Sequence, residues 1–339
     1  MFGIVMSLSM VVSLIFSLVG VMMSFVSLNL LGVWVGMELS FLSVICFASG
    51  SSVEETESMM KYFIIQVIGS CVSGMGFILA SNLSEVMACQ LFILIGMMVK
   101  LGVFPFHFWV APVVSKLSWA GCASVLLVQK LIPIWVLSNY LILYKDVSRV
   151  EFFCCMTSLV GCLGGLSVLN YRVLLGFSSV QNLGPMVLLC CCENFELWVY
   201  VVVYFMLTGF AMMGLWQLGI YGFQDLVKET GLKGMDNLWW VSLYFLSSAG
   251  LPPFVGCAMK IALLNGCWSK MTFGTGICVL SSCISLMFYL SVVLAVVVYW
   301  GKNVFMVSKE KRKEFNYMVN ISLLVNLSGG FIAFLWMSL

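Results

Sequence analysis

Apolar residues fall into eleven long runs, separated by short segments that carry the polar and charged side chains. Each run has about the twenty residues that an α-helix needs to cross the hydrocarbon core of a bilayer. Hydrophobicity is continuous rather than alternating within a run, which favours helices over the strands of a membrane barrel. The pattern predicts an all-α polytopic membrane protein of about eleven transmembrane helices. The predicted spans are about 3–23, 26–49, 59–80, 86–103, 119–144, 151–170, 173–192, 196–220, 238–266, 274–300 and 317–338.

Composition supports a membrane protein, since 62% of the residues are apolar and 9% are charged. The net charge of +2 comes without a basic patch, so we expect no nucleic-acid partner. The segment Met1–Leu28 has neither a secretory cleavage pattern nor the Arg-rich character of an import peptide, and we interpret it as a retained helix. The fourteen cysteines lie mostly in apolar runs without a C-x-x-C pair, and there is one histidine. We therefore expect no metal site.

The loops differ in their basic residues. Loops after even-numbered spans hold ten Lys and Arg residues if Lys61, at the start of the third span, is counted with them, whereas loops after odd-numbered spans hold three. By the positive-inside rule this favours an N-terminus on the inner side, with the run Lys309–Lys313 in a solvated inner loop.

Four charged residues lie inside runs that are otherwise apolar: Glu38, Lys100, Lys130 and Lys260. Each costs roughly 2.5 to 3.5 kcal/mol at the centre of a membrane helix, so each needs a use or a partner. This pattern is typical of proteins that move charge through a membrane.

Helix-breaking prolines lie close to the three buried lysines. Pro105 and Pro133 follow two of them, and Pro252 with Pro253 precedes the third. Breaks beside charges are typical of the discontinuous helices that transporters place around ion sites. We therefore predict helix breaks at these four prolines.

A short internal similarity suggests a repeat. Gly102–Phe106 resembles Gly250–Phe254, and the two segments lie five spans apart. A repeat of five helices inverts its topology, which would place a site at the repeat interface. We predict one integral membrane domain over residues 1–339, with candidate inverted repeats at 1–145 and 150–300 and a final helix at 317–338.

Several motifs resemble the subunit 2 family of mitochondrial NADH dehydrogenase, the antiporter-like membrane subunits of respiratory complex I. The resemblance extends over nearly the whole chain, in order and rough spacing. It rests on Trp34–Leu39, Glu57 with Met60–Gln66, Lys100–Val110, Gln129–Pro133, Phe177–Val180, and Ala249–Pro253 with Gly256 and Lys260.

The chain departs from that family at two places. Ala111 and Pro112 stand where the family usually has Pro and an acidic residue, so no carboxylate can act there. Asn182 stands where relatives commonly carry a histidine, and Pro185 where an aromatic residue is usual. A proton relay through that histidine is not expected in this chain.

The resemblance implies a proton-translocating core subunit of NADH:ubiquinone oxidoreductase in the inner mitochondrial membrane, with its N-terminus on the matrix side. NADH, FMN, iron–sulfur clusters and ubiquinone would then be bound by other subunits, and this chain would hold no cofactor. Its partners would be other membrane-arm subunits, including neighbouring antiporter-like subunits, and membrane lipids.

The buried charges suggest a mechanism. Burial disfavours a charged lysine and a nearby carboxylate favours it, so proton occupancy can be switched by moving the pair apart. If Glu38 approaches Lys100, separating them favours proton release toward Lys130, then Lys260 and the outer side; this order rests partly on the family. His107 and Lys61 are candidates for proton access.

Other interpretations remain open at this stage. Glu38 and Lys100 are also consistent with a static ion pair, Lys61 with an interfacial anchor, His107 with a structural role and Lys260 with a snorkelling side chain. At the level of function, the alternatives are a monovalent cation/proton antiporter subunit and a non-pumping scaffold of the membrane arm.

Overall fold

A computed structural model describes residues 8–50, 52–82, 86–141, 147–192, 194–223, 225, 235–303 and 323–332. The described residues form fourteen α-helices and no β-strand. The helices are α1 Leu8–Val26, α2 Leu30–Ala48, α3 Val53–Asn82, α4 Val86–Leu101, α5 Val110–Val114, α6 Trp119–Ala123, α7 Gln129–Leu141, α8 Val147–Gly165, α9 Tyr171–Cys190, α10 Asn194–Leu218, α11 Met235–Ser248, α12 Cys257–Cys267, α13 Thr272–Asn303 and α14 Leu323–Ile332.

The all-α membrane architecture is confirmed. Nine helical segments of the described chain are long and apolar enough to cross a bilayer. The predicted span 238–266 is not one helix but two shorter ones, α11 and α12. Of the predicted span 317–338, α14 is the part that the structure describes, and the run Lys309–Lys313 lies outside the described residues.

The chain divides into two compact units, Met1–Thr157 and Ser158–Leu339, with the boundary inside α8. The prediction that two halves are inverted repeats stays a prediction. In the first unit α1 packs on α2, and α3 packs on both α2 and α4. In the second unit α10 packs on α11 and α12, and α13 packs on α9 and α11.

Small residues allow the paired helices of the first unit to approach closely. A Cβ at Gly20 would lie 2.6 Å from the backbone N of Ser40, and one at Gly96 would lie 2.6 Å from the backbone N of Ser73. Close approach through small residues is the usual way in which helices pack in lipid, where burial of apolar surface gives little driving force.

Serine hydroxyls within the spans form hydrogen bonds inside their own helices. Ser17 Oγ donates to the carbonyl of Leu14 at 2.7 Å, and Ser24 Oγ donates to that of Val21 at 2.6 Å. Because each hydroxyl bonds a carbonyl in the preceding turn, these residues can lie in apolar helices without an external partner.

Two helix interruptions share one local geometry. α4 ends at Leu101, Gly102 has a φ of 79°, and a 3-10 helix begins at Phe106, just after Pro105. α11 ends at Ser248, Gly250 has a φ of 73°, and α12 begins at Cys257, beyond Pro252 and Pro253. Both glycines have a left-handed backbone conformation, which residues with a Cβ rarely adopt.

The predicted break at Pro133 is wrong. Pro133 lies inside α7, and the irregularity is instead a π-helical turn at Ser124–Val128, immediately before α7. Proline in a helix interior removes one backbone donor, but a membrane helix can tolerate it without ending there.

Candidate functional site

The first unit brings two of the predicted site residues into contact. Lys100 Nζ lies 3.1 Å from Glu38 Oε1 and donates a hydrogen bond to it. The Lys100 side chain is 5% exposed and the Glu38 side chain 23% exposed. This ion pair joins α2 to the last turn of α4, next to the Gly102–Pro105 interruption.

Neighbours on α3 position Lys100. Gly69 leaves room for its stem, since a Cβ there would lie 2.8 Å from Lys100 Cγ. Gln66 Nε2 donates to the Lys100 carbonyl at 3.0 Å. That amide bonds one of the carbonyls that a helix leaves without an intrahelical partner at its C-terminus. Sequence reasoning did not single out either residue for this role.

Lys130 is the second buried lysine of this unit. It is 5% exposed and is the second residue of α7, directly after the π-helical turn. Its neighbour Gln129 donates from Nε2 to the carbonyl of Ser40 at 2.9 Å, which ties α7 to α2 near Glu38. Since π-helical turns occur frequently at functional sites, this turn is a structural signal that the sequence pattern did not show.

Lys61 belongs to an exposed charged cluster. α3 begins at Val53, earlier than the predicted span 59–80, so Lys61 lies within the helix rather than at its start. Glu57 accepts hydrogen bonds from Lys61 at 2.6 Å and from Lys116 at 2.8 Å. The hydrogen bond with Glu57 raises the pKa of Lys116. A role for Lys61 in proton access stays a prediction.

His107 lies in the 3-10 helix after the first interruption. Its ring centroid is 4.1 Å from that of Phe108 and 6.1 Å from that of Phe104. Its buried Nδ1 has no hydrogen-bond partner among the described residues. The aromatic contacts fit a structural role, and proton access through His107 stays a prediction.

Lys260 lies in the first turn of α12 in the second unit and is partly buried. Its stem runs back along Gly250, where a Cβ would lie 2.5 Å from Lys260 Cε. Side chains on a helix point toward its N-terminus, which explains why Lys260 reaches the interruption. The three salt bridges found in the described part of the chain do not include Lys260.

The last helix supports this second interruption. Asn326 Oδ1 accepts hydrogen bonds from Ser247 Oγ at 2.9 Å and from the backbone N–H of Val255 at 3.3 Å. A Cβ at Gly330 would lie 2.5 Å from the carbonyl O of Pro253. Thus α14 packs against the segment between α11 and α12. The hydrophobicity of the chain did not predict this contact.

The position where the family usually has a histidine carries a neutral amide. Asn182 Oδ1 accepts a hydrogen bond from Tyr200 Oη at 2.8 Å, and Asn182 Nδ2 donates to the carbonyl of Ser178 at 2.8 Å. An amide does not change protonation in the physiological range, so Asn182 orients Tyr200 but cannot carry a proton as histidine would.

The described residues provide no cluster that could hold a metal ion, since no three His, Cys, Asp or Glu side chains come together there. The site is instead built from charged groups, with Glu38 and Lys100 paired and Lys130 buried in the same unit. The arrangement is therefore suited to charge transfer through the membrane.

A family model decides what kind of protein this is. Residues 27–285 match the model described as NADH:quinone oxidoreductase/Mrp antiporter, transmembrane. The chain belongs to this family. The buried charges therefore lie in an antiporter-like membrane protein, and the family resemblance of the sequence motifs is confirmed.

Relatives in this family match along almost the entire chain. NADH-ubiquinone oxidoreductase chain 2 of Anopheles gambiae is 29% identical over 325 residues, covering 92% of each chain. The protein of the same name from Branchiostoma lanceolatum is 30% identical over 312 residues, covering 88% of this chain and 89% of its own.

Solved structures of antiporter-like proteins share the fold. A chain of respiratory complex I from Thermus thermophilus matches with a TM-score of 0.80 at 19% identity, covering 98% of this chain and 80% of that one. A chain of the Mrp complex from Dietzia sp. matches with a TM-score of 0.74 at 18% identity, covering 83% of this chain and 59% of that one. At these identities the likeness concerns the fold alone.

Proposed function

We propose that this chain is a core membrane subunit of NADH:ubiquinone oxidoreductase that couples electron transfer to proton translocation. The relatives of that name that cover most of the chain support the assignment to the complex. The observation that supports a part in proton movement is the buried ion pair between Glu38 and Lys100 at 3.1 Å.

This assignment implies a membrane location and a set of partner subunits. The subunit spans the inner mitochondrial membrane several times with its N-terminus in the matrix, as the distribution of basic residues favours. It contacts other membrane-arm subunits and lipids. NADH, FMN, iron–sulfur clusters and ubiquinone bind to other subunits, so the redox reaction takes place outside this chain.

In this proposal the ion pair works as a switch. While Glu38 is close, the buried Lys100 keeps its proton, because the carboxylate compensates for the loss of hydration. A movement that separates the pair leaves an uncompensated buried charge, which favours release of the proton toward Lys130. Lys260 is the proposed carrier in the second unit. Moving a proton against the membrane potential costs about 2.3 kcal/mol per 100 mV, so neighbouring subunits must drive the separation.

The first test is Lys100→Met in the assembled complex, reconstituted in vesicles. We expect assembly to persist and the ratio of protons pumped to NADH oxidised to fall. Lys116→Met is the matched control, because it removes an exposed lysine that is also paired with a glutamate. An unchanged ratio and rate for Lys100→Met would assign the chain to the non-pumping scaffold class.

The likeness to the Mrp complex chain gives a second candidate function, a monovalent cation/proton antiporter subunit. The two candidates differ in their dependence on sodium. For the complex I function, we expect proton pumping in these vesicles to be the same in sodium and in potassium buffers. Proton movement that requires a sodium gradient would favour the antiporter.

A further inference from the structure

A small cavity lined by both polar and apolar side chains lies beside Lys260 in the second unit. Its volume is about 30 Å³, and its polar lining comes from α9, α10, α11, α12 and α13. One water molecule needs about 10–15 Å³ by the same measure, together with two to four polar partners. The polar side chains that line the cavity are Gln181, Asn182, Tyr200, Ser248, Lys260, Ser282 and Ser285.

Hydrogen bonds fix the orientation of the Gln181 amide. Ser285 Oγ donates its proton to the carbonyl of Ser282 at 2.8 Å, so it can only accept from Gln181. Gln181 Nε2 donates to that oxygen at 2.9 Å. The amide oxygen therefore points away from Ser285. If the Gln181 amide exchanged its two ends, Ser285 Oγ could bond it only by giving up its bond to the Ser282 carbonyl.

The Gln181 oxygen is buried and has no hydrogen-bond partner among the described residues, although the residue is 5% exposed and lines the cavity. Its backbone is also held in place, since a Cβ at Gly161 would lie 2.4 Å from Gln181 N. A buried acceptor without a partner is unfavourable, because it has lost its hydrogen bonds to water. Gln181 lines a cavity that has room for water and several polar side chains, and buried waters occur in cavities of this kind.

We propose that Gln181 is a positioning residue that holds a water molecule beside Lys260 in this cavity and orients it to accept a proton from the lysine. The inference rests on the proposed function, in which Lys260 carries a proton.

The orientation of the water follows from the chemistry of the amide. The Gln181 oxygen accepts a hydrogen from the water, which turns the water's lone pairs toward the cavity and toward Lys260 Nζ. The lysine ammonium can then donate a hydrogen bond to the water. Gln181 itself gains and loses no proton, and neither does the neighbouring Asn182–Tyr200 pair in the physiological range. Lys260 is thus the group whose charge changes, and the water is its first acceptor.

The test uses Gln181→Met in the assembled complex in vesicles, because methionine has a similar length but no comparable hydrogen-bond acceptor. We expect coupled proton pumping to fall about tenfold, which corresponds to about 1.4 kcal/mol. We also expect the solvent isotope effect, measured between H₂O and D₂O, to increase because proton release becomes rate-limiting. A purely structural loss would lower the pumping rate by the same factor in H₂O and in D₂O.

Two further variants make the result interpretable. Ser281→Ala is the matched control. Ser281 is buried on α13, the helix that carries Ser285, and its hydroxyl donates to the backbone carbonyl of Cys278. Ser285→Ala releases the Gln181 amide without removing it, and we expect a smaller loss with the same isotope signature. If Gln181→Met does not assemble, Ser285→Ala decides by the same two measurements.

Lys260→Met separates the failure of this inference from that of the proposed function. Loss of pumping in Lys260→Met with normal pumping in Gln181→Met and Ser285→Ala would overturn the water site and leave the function standing. A loss in Gln181→Met without a change in the isotope effect would also overturn it. Normal pumping in Lys100→Met would refute the proposed function itself.

Discussion

The ion pair between Glu38 and Lys100 can be tested by removing its members one at a time and then together. At a separation of 3.1 Å and an effective dielectric constant of about 20, the attraction is about 5 kcal/mol. Removing one member of a buried pair typically costs about 3–5 kcal/mol, since the other charge stays in place without compensation. The partial exposure of Glu38 places the expected cost of Glu38→Gln or Lys100→Met near the lower value.

The double variant Glu38→Gln with Lys100→Met leaves no unpaired charge. We therefore expect it to be more stable than either single variant, with a coupling energy of about 2–3 kcal/mol. The assay is the thermal midpoint at which the assembled complex loses this subunit. The thermal midpoint should be highest for the wild type, lower for the double variant and lowest for the two single variants.

Proton pumping should not follow this order. If Lys100 carries a proton, the double variant regains stability but pumps as poorly as Lys100→Met. If the pair only joins α2 to α4, the double variant regains both stability and pumping. Recovery of pumping in an assembled double variant would therefore refute the argument that this buried charge moves protons.

Three other predictions concern backbone approach and exposed charge. Gly250→Ala should lower the thermal midpoint and reduce pumping, because its Cβ would meet the Lys260 stem at a φ of 73°; Gly276→Ala, whose Cβ would have nothing within 4 Å, is the control. Gly20→Leu should prevent α1 from packing on α2, measured as loss of the chain from the assembled complex. Glu57→Gln removes two exposed ion pairs, and any change in thermal stability at low salt should disappear at high salt.

The sequence was sufficient to predict the helical membrane fold and to single out Glu38 and Lys100, but it left open which of the three buried lysines Glu38 approaches. Long apolar runs can only be helices in lipid, and an isolated acid and base in such runs are expected to compensate each other. Their contact is set by Gly69, which leaves room for the lysine stem. Which glycine has this effect depends on the rotation of α3 against α4, and a single sequence does not give that rotation.

The amide contacts and the helix irregularities were harder to predict. Gln66 and Gln129 bond backbone carbonyls on other helices, and nothing in a hydrophobic pattern distinguishes them from amides that face water. Proline at position 133 suggested a break, yet the chain accommodates it inside α7 after a π-helical turn. A segment of 29 residues was predicted as one span at 238–266 because short apolar helices on either side of a turn give the same hydrophobicity as one long helix.

The two interruptions place their lysines at opposite ends of a helix. Lys100 belongs to the last turn of α4, where aligned peptide dipoles leave partial negative charge, and Lys260 belongs to the first turn of α12, where they leave partial positive charge. The effect is typically about 0.3–1 kcal/mol in each direction. The helix ends thus stabilise a positive charge at Lys100 and destabilise one at Lys260. The same kind of break therefore places one lysine at a negative helix end and the other at a positive one.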